Sequence, residues 1–125
     1  MIYKVGMLCK HFKGDTLLKK NIYRIIKMGV DGSDLIDNVK YTGDGDCSSA
    51  HNLVVYENIF QDNALFAREY ENISSELSDE KKIQFGQVLK VQPLTDEEIK
   101  LISNPEFIDL KKREVAEKFK EKIKK

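Results

Sequence analysis

The stretch Leu53-Val54-Val55-Tyr56-Glu57-Asn58-Ile59-Phe60, followed by Gln61-Asp62-Asn63 and Leu65-Phe66-Ala67-Arg68, decides the fold class. Branched and aromatic residues dominate 53–60, which is typical of a β-strand. Asp and Asn tolerate the left-handed backbone of a tight turn, so the chain is expected to return antiparallel over 65–68. The sequence therefore predicts a β-hairpin near the middle of the chain.

Further strands are predicted on both sides of this hairpin. Residues 22–30 are rich in β-branched side chains and predict a strand buried on at least one face, and residues 3–12 predict an edge strand. Residues 31–52 hold glycines, aspartates and serines, which favours a loop with a helical turn near 34–39. The apolar residues of 83–91 share one parity, which predicts a strand with a bulge at Gly86.

The C-terminal part predicts helices. Thr95-Asp96-Glu97-Glu98 is a capping box, and Leu94 with Ile99 supplies the hydrophobic staple that accompanies one. Asn104-Pro105 ends this helix and opens the next, because Asn caps a helix and proline is tolerated at its first position. Apolar residues recur at helical spacing along the second helix, at Ile108, Val115, Phe119 and Ile123. This stripe predicts either packing on the sheet or contact with a partner helix.

The charge is balanced in total but segregated along the chain. The 125 residues carry 21 Lys and Arg and 21 Asp and Glu. By segment, the net charge is +6 over residues 1–30, −10 over 31–80, −1 over 81–110 and +5 over 111–125. The segments are expected to neutralise one another on folding, and the alternative is a basic face for a polyanion. A net charge of zero argues against a dedicated nucleic-acid binder.

The cysteine count and hydropathy bear on the compartment. Two cysteines, Cys9 and Cys47, are too few for a disulfide scaffold. Lysines interrupt the N-terminus before the apolar core of a secretory signal forms, and no stretch reaches the ~20 apolar residues of a membrane span. The sequence therefore predicts a cytoplasmic protein with two free thiols and no membrane partner.

Several of these segments resemble, in order, the bacterial family called domain of unknown function 1653. The resemblance is carried by Lys10-His11-Phe12-Lys13-Gly14, Ile22-Tyr23-Arg24-Ile25-Ile26, Leu53-Val54-Val55-Tyr56 and Leu65-Phe66-Ala67-Arg68, and it covers roughly residues 6–73. It implies a small SH3-like barrel and no activity. The chain departs from the family pattern at Cys9, Phe66 and Glu69, where the family has Tyr, Trp and Pro, and in its longer loop over 31–52.

The predicted fold class is thus mainly β with C-terminal α. The β part is a small SH3-like barrel or a bent antiparallel sheet, and one or two C-terminal helices follow it. Residues 1–92 are predicted to form the barrel-like domain, and residues 93–125 a helical extension packed on it.

The candidate ligand-binding residues are His11, Phe12, Lys13, Tyr56 and Arg68. An imidazole beside an aromatic ring and an ammonium is suited to stacking a base and holding a phosphate. The structural alternative is that Phe12 packs in the core, Gly14 allows a turn and His11 bonds a carbonyl. For Arg68 the alternative is an ion pair with a carboxylate such as Glu57 on the neighbouring strand.

The cysteines and histidines raise two further hypotheses. Cys9, His11, Cys47 and His51 are a zinc-like inventory without a Cys-x-x-Cys knuckle, so no metal site and no cofactor is predicted. Cys47 with His51 and Asp46 is the only candidate nucleophile and base, and its short local spacing disfavours catalysis. No catalytic residues are predicted.

These observations favour a small non-enzymatic binding module whose ligand is a nucleic acid, a nucleotide or a peptide. Two alternatives stay open. The first is an interaction protein that forms a homodimer through its C-terminal helix, and the second is an enzyme that depends on Cys47 and His51.

Overall fold

The computed structural model describes residues 2–36 and 38–123, with side chains through residue 121. Its strands are β1 (Leu8–His11), β2 (Ile22–Val30), β3 (Val39–Tyr41), β4 (Leu53–Asn58), β5 (Ala64–Glu69) and β6 (Val91–Pro93). Its α-helices are α1 (Tyr70–Ile73), α2 (Asp79–Phe85), α3 (Asp96–Ile102) and α4 (Pro105–Ile123). Short 3-10 turns lie at Leu17–Lys19, Gly32–Asp34 and Cys47–Ser49.

The six strands form one open sheet in the order β3-β5-β4-β2-β1-β6. The hairpin predicted at the middle of the chain is present, with Tyr56 opposite Phe66. All pairs are antiparallel except β3 with β5, which is parallel. The β1–β2 loop and the β4–β5 hairpin turn lie at the same end of the sheet, because the antiparallel strands β1, β2, β4 and β5 are neighbours in this order.

Both faces of the sheet are covered. On the face that we call the tyrosine face, Tyr3 lies over Cys9, Ile25 and Val54, and its hydroxyl donates hydrogen bonds to the carbonyls of Ile73 and Val91. The opposite face, called the helix face, carries two clusters. Ile22 packs there against Leu94, Ile102 and Phe107 from the α3–α4 region, and Leu53, Val55 and Ala67 pack under the segment between β2 and β4.

The predicted fold class, mainly β with C-terminal α, is confirmed. Of the two forms predicted for the β part, the bent open sheet is observed, and the described strands do not close into a barrel. The capping box is present, since the Thr95 hydroxyl accepts from the Glu98 amide and the Glu98 carboxylate accepts from the Thr95 amide. Asn104 caps α4 by accepting from the Glu106 amide.

Three local predictions are wrong. The strand predicted over 83–91 does not form: residues 83–85 are the end of helix α2, which Ser78 caps and Gly86 ends in the left-handed conformation at φ +61°, and within this segment a strand begins only at Val91, in β6. The segment 3–12 does not form an edge strand, because β1 lies between β2 and β6. The segment 31–52 is not all loop, since it contributes β3 at the sheet edge.

Candidate functional site

Aromatic rings cross the tyrosine face at the end of the sheet that carries the β1–β2 loop. His11, Tyr23, Tyr56 and Phe66 come from β1, β2, β4 and β5. Ring centroids are 6.3 Å apart for His11 and Tyr23, 4.6 Å for Tyr23 and Tyr56, and 5.8 Å for Tyr56 and Phe66. Tyr23 and Tyr56 are buried, whereas His11 and Phe66 at the two ends of the row are partly exposed. A ligand would therefore meet the row at its ends.

The His11 end of the row continues into the β1–β2 loop. The His11 ring lies 4.8 Å from the ring of Phe12, and Phe12 packs edge-on against Phe85 at 5.3 Å. The loop then turns at Gly14, whose φ of +110° favours glycine and where a Cβ would lie 2.9 Å from the Lys19 carbonyl carbon. The packing of Phe12 and the turn at Gly14 agree with the structural alternative for this motif.

Lysines surround these rings. The Lys81 ammonium lies 5.6 Å from the centre of the Phe12 ring and the Lys20 ammonium 5.9 Å from that of Phe85, both within cation–π range. Lys13 and Lys81 are exposed, and Lys90 is partly exposed. We call this surface the basic-aromatic cluster, and it consists of His11, Phe12, Lys13, Lys81, Phe85 and Lys90.

His11 is uncharged in this setting. Burial of the ring, followed by the positive charges of Lys13, Lys20 and Lys90, lowers the pKa of His11 to about 4. Its Nδ1 accepts a hydrogen bond from the Lys13 amide at 3.4 Å, so the proton of the neutral ring is on Nε2. The cluster thus offers one N–H donor and several ammonium groups, which suits an anionic oxygen.

Buried lysines hold the β1–β2 loop in place. The Lys20 ammonium donates to the carbonyls of Phe12 and Phe85, at 2.7 and 3.0 Å. Lys111 of α4 donates to the carbonyls of Leu18 and Lys20, and its ammonium is almost fully buried. Burial lowers the pKa of both lysines, that of Lys111 to about 8. These contacts attach the loop that presents His11 to α4.

Lys10, which is buried, forms an ion pair with the partly exposed Glu98, at 2.6 Å between Nζ and Oε2. Burial alone raises the pKa of Glu98, but the hydrogen bonds from Lys10 and Thr95 outweigh burial and leave that pKa below its usual value. The pair joins β1 to the N-terminus of α3. It therefore fixes a helix to the strand that ends at His11.

Of the other predicted ligand-binding residues, Tyr56 lies in the row and Arg68 lies apart from the basic-aromatic cluster. Burial raises the pKa of Tyr56. The Arg68 guanidinium donates to the Thr42 carbonyl, and its Nε lies 3.3 Å from a Glu69 oxygen. The structural alternative for Arg68, an ion pair with a carboxylate, is present, but the partner is Glu69 and not Glu57, which pairs with Arg24 at 3.0 Å on the helix face. The acidic neighbours of Arg68 make this corner a poor site for an anion.

The four cysteines and histidines have separate surroundings. Cys9 is fully buried, and burial raises its pKa to about 12. The Cys47 thiol donates to the Gly32 carbonyl at 3.4 Å, while His51 Nδ1 lies 3.1 Å from an Asp31 carboxylate oxygen. Among the described residues, no group of three or more potential ligands converges as a metal site would require.

Four residues of the aromatic row and the basic-aromatic cluster were not predicted from the sequence: Tyr23, Lys81, Phe85 and Lys90. Tyr23 and Ile25 are two residues apart on β2, so they lie on the same face of the sheet, and Tyr23 could not be told from an ordinary core residue. Lys81 and Phe85 belong to α2, and only the last residues of this helix, 83–85, fall within the strand predicted over 83–91. Ser78 followed by Asp79 and Glu80, with Gly86 after the apolar residue, is a helix signal that was available.

None of the helices in the described part of the chain has the length and apolar character needed to cross a bilayer. Comparison with protein-family models, with curated proteins and with solved structures finds no match to this chain. The resemblance to the uncharacterised bacterial family therefore stays a prediction, and the function must be argued from the geometry of the site.

Proposed function

We propose that this chain is a non-enzymatic binding module whose ligand is a single-stranded nucleic acid held at the basic-aromatic cluster. The observation that carries the proposal is the partly exposed His11 ring, which is tilted against the Phe12 ring, meets the Tyr23 ring edge-on and is bordered by Lys13 and Lys90. Aromatic side chains stack bases of any sequence, and neighbouring lysines follow the phosphates.

The same chemistry ranks the three ligand classes that the sequence left open. Ammonium groups at the rim favour an anionic ligand over a neutral peptide, and the presence of three such groups, on Lys13, Lys81 and Lys90, favours a strand with several phosphates over a single nucleotide. The location proposed for this activity is the cytoplasm, which accords with the free thiols of Cys9 and Cys47.

The interaction is expected to be weak and dependent on salt. The whole chain has no net charge, and three lysines of the cluster, Lys13, Lys81 and Lys90, reach solvent. Three phosphate contacts by a single strand give a slope of log K against log salt of about −2. With so few contacts we expect dissociation constants in the micromolar range at low salt.

The proposal is tested by NMR titration of isotope-labelled protein with oligothymidylate and oligouridylate at low salt. We expect amide shifts at residues 11–13, 81–85 and 90 that disappear as salt rises. Lys13→Glu is expected to weaken binding and flatten the salt slope by roughly 0.7 per lost phosphate contact. Lys40→Glu is the matched control, because the exposed Lys40 lies on β3 at the far edge of the sheet. Equal effects of the two variants, or no shifts at all, would refute the proposal.

A further inference from the structure

A groove lies between the turn of the β4–β5 hairpin and the second half of α4, with a volume of about 930 Å³. On the α4 side it is lined by a stripe of residues at helical spacing, which are Lys112, Val115, Ala116 and Phe119. The Phe119 side chain is 62% exposed although it is large and apolar. We call these four residues the groove stripe.

The groove stripe is not the part of α4 that packs on the sheet. Phe107 packs against Ile22, and the Lys111 ammonium is buried against the Lys20 carbonyl. These contacts define the inward row of the helix. The groove stripe begins one residue later, at Lys112, and so lies about 100° further round the helix. A partner can therefore cover it without displacing the contacts that attach α4 to the sheet.

The charge around the groove is balanced. Its lining includes Lys112 and Lys118, but also Asp62 and Glu121. The described side chains of α4 carry equal numbers of cations and anions. Total charge therefore attracts neither a polyanion nor a polycation, and the order of the charges along the helix decides which partner fits.

Beside the groove stripe, four exposed charged residues alternate in sign along α4. They are Asp109, Arg113, Glu117 and Lys120. Reversing this order reverses the sign at every position. Two antiparallel α4 helices therefore place Asp109 of each copy beside Lys120 of the other, and Arg113 beside Glu117. Two parallel helices would place like charges together, which is unfavourable.

These four residues are available to a partner. Arg113 and Glu117 have the spacing of an ion pair along one helix. In the described part of the chain, however, the ion pair formed within α4 joins Glu114 to Lys118, at 3.7 Å, and none of the four alternating residues is ion-paired. Their charges are thus free to pair across an interface.

We propose that α4 pairs antiparallel with α4 of a second copy of this chain, with Phe119 of each copy in the groove of the other. The two-fold axis that pairs the alternating charges passes close to Val115 and Ala116, and the small Ala116 lets the helices approach. The same axis places each Phe119 ring beside Lys112 of the second copy, which suits a cation–π contact. Apolar and charged residues therefore select the same arrangement.

The dimer goes beyond the proposed function and does not depend on it. No residue of the basic-aromatic cluster lines the groove, so the cluster of each copy stays outside the interface. The groove stripe and the alternating charges are fewer than the roughly 20–30 residues that each partner contributes to a standard interface. We therefore expect a weak dimer, with a dissociation constant on the order of 10–100 µM.

The test is sedimentation equilibrium of the full chain at low salt, without nucleic acid, from about 5 to about 500 µM, a range that brackets this constant. Phe119→Ala is expected to weaken the dimer by at least about 10-fold, because the contact occurs twice. Ile83→Ala is the matched control, since the exposed Ile83 lies on α2 and outside the groove. It should leave the dimer unchanged.

Charge reversal tests the antiparallel arrangement. Arg113→Glu and Glu117→Arg, each alone, place like charges across the interface and should each weaken the dimer by at least about 10-fold. An equimolar mixture of the two variants should recover a dimer, because each copy then carries the charges that the other lacks. Lys40→Glu is the control for reversal of a charge, since Lys40 is exposed on β3 at the edge of the sheet.

Three results would overturn the inference. The first is a chain that stays monomeric at the highest concentration. The second is a dimer that Phe119→Ala and Arg113→Glu do not weaken, which would place the interface elsewhere, or a mixture of the two charge variants that stays monomeric. The third is a monomer whose amides 112–119 shift with oligothymidylate, which would assign the groove to nucleic acid.

Discussion

Acidification is expected to destabilise the fold through His11. The pKa of this ring is about 4 in the folded chain, whereas an unfolded histidine titrates near 6.5. Between these values the unfolded state binds more protons, so the free energy of unfolding falls as the pH falls. For a fully buried ring, the difference between the two pKa values corresponds to a change of about 3 kcal/mol in the free energy of unfolding. Because the ring is partly exposed, we expect about 2 kcal/mol.

The assay is urea denaturation from pH 7 to pH 4, with His11→Gln beside the parent chain. Glutamine is uncharged throughout and can still accept the Lys13 amide through its side-chain oxygen. Carboxylates titrate in this range in both proteins, so the difference between their pH profiles isolates the ring. We expect the parent to lose about 2 kcal/mol more than His11→Gln.

Parallel profiles for the parent and His11→Gln would refute the reasoning, because they would show that the ring does not stay neutral in the fold.

The same protonation provides a link to function. A bound phosphate offsets the field of the surrounding lysines and should raise the pKa of His11, which can be followed by NMR because the chain has two histidines. An unchanged His11 titration in the presence of saturating oligonucleotide would place the phosphates elsewhere.

Three further perturbations test the contacts that shape the site. Burial lowers the pKa of Lys111, so between about pH 8 and about pH 10.5 the unfolded chain binds more protons than the folded chain. Over this range the free energy of unfolding of the parent, measured in urea, should therefore rise relative to that of Lys111→Met. Profiles that stay parallel would contradict a buried ammonium. Gly14→Ala should lower the free energy of unfolding by at least about 2 kcal/mol and more than Gly45→Ala, because both have positive φ but only Gly14 meets neighbouring backbone. Glu98→Gln should cost about 2 kcal/mol by leaving the Lys10 ammonium unpaired, and Lys10→Met/Glu98→Gln should recover part of that loss in thermal unfolding.

The sequence specified the elements whose signals are local. The hairpin of β4 and β5 and the capping box of α3 are fixed by residues within a few positions of each other. The short strand β3 has no such signal, because its three residues become a strand only through parallel pairing with β5. Helix α2 had a signal at both ends, but the shared parity of Ile83, Phe85 and Leu89 matched a strand as well.

The site was less predictable because it depends on residues distant in sequence. His11, Phe12 and Lys13 were recognisable as one short motif, whereas Lys81 reaches it through the packing of α2 on Phe12 and Lys90 through the pairing of β6 with β1. A pattern of spacing carries no information on such contacts. The Arg68 guanidinium illustrates the same limit, since its contact with the Thr42 carbonyl depends on where the segment after β3 lies.

The buried lysines serve the fold, and the outward lysines of the basic-aromatic cluster are the ones left to face a ligand. Lysine is rarely buried, so a lysine met in a sequence is expected to lie at the surface. Instead, Lys20 and Lys111 direct their ammonium groups inward to backbone carbonyls, and Lys10 does so to Glu98. Their charges are satisfied internally and still lower the pKa of neighbours, as Lys20 does for His11. Neutralising an inward lysine should therefore alter the site by loosening the loop, whereas neutralising an outward lysine such as Lys13 should weaken binding and lower its salt dependence without loosening the loop.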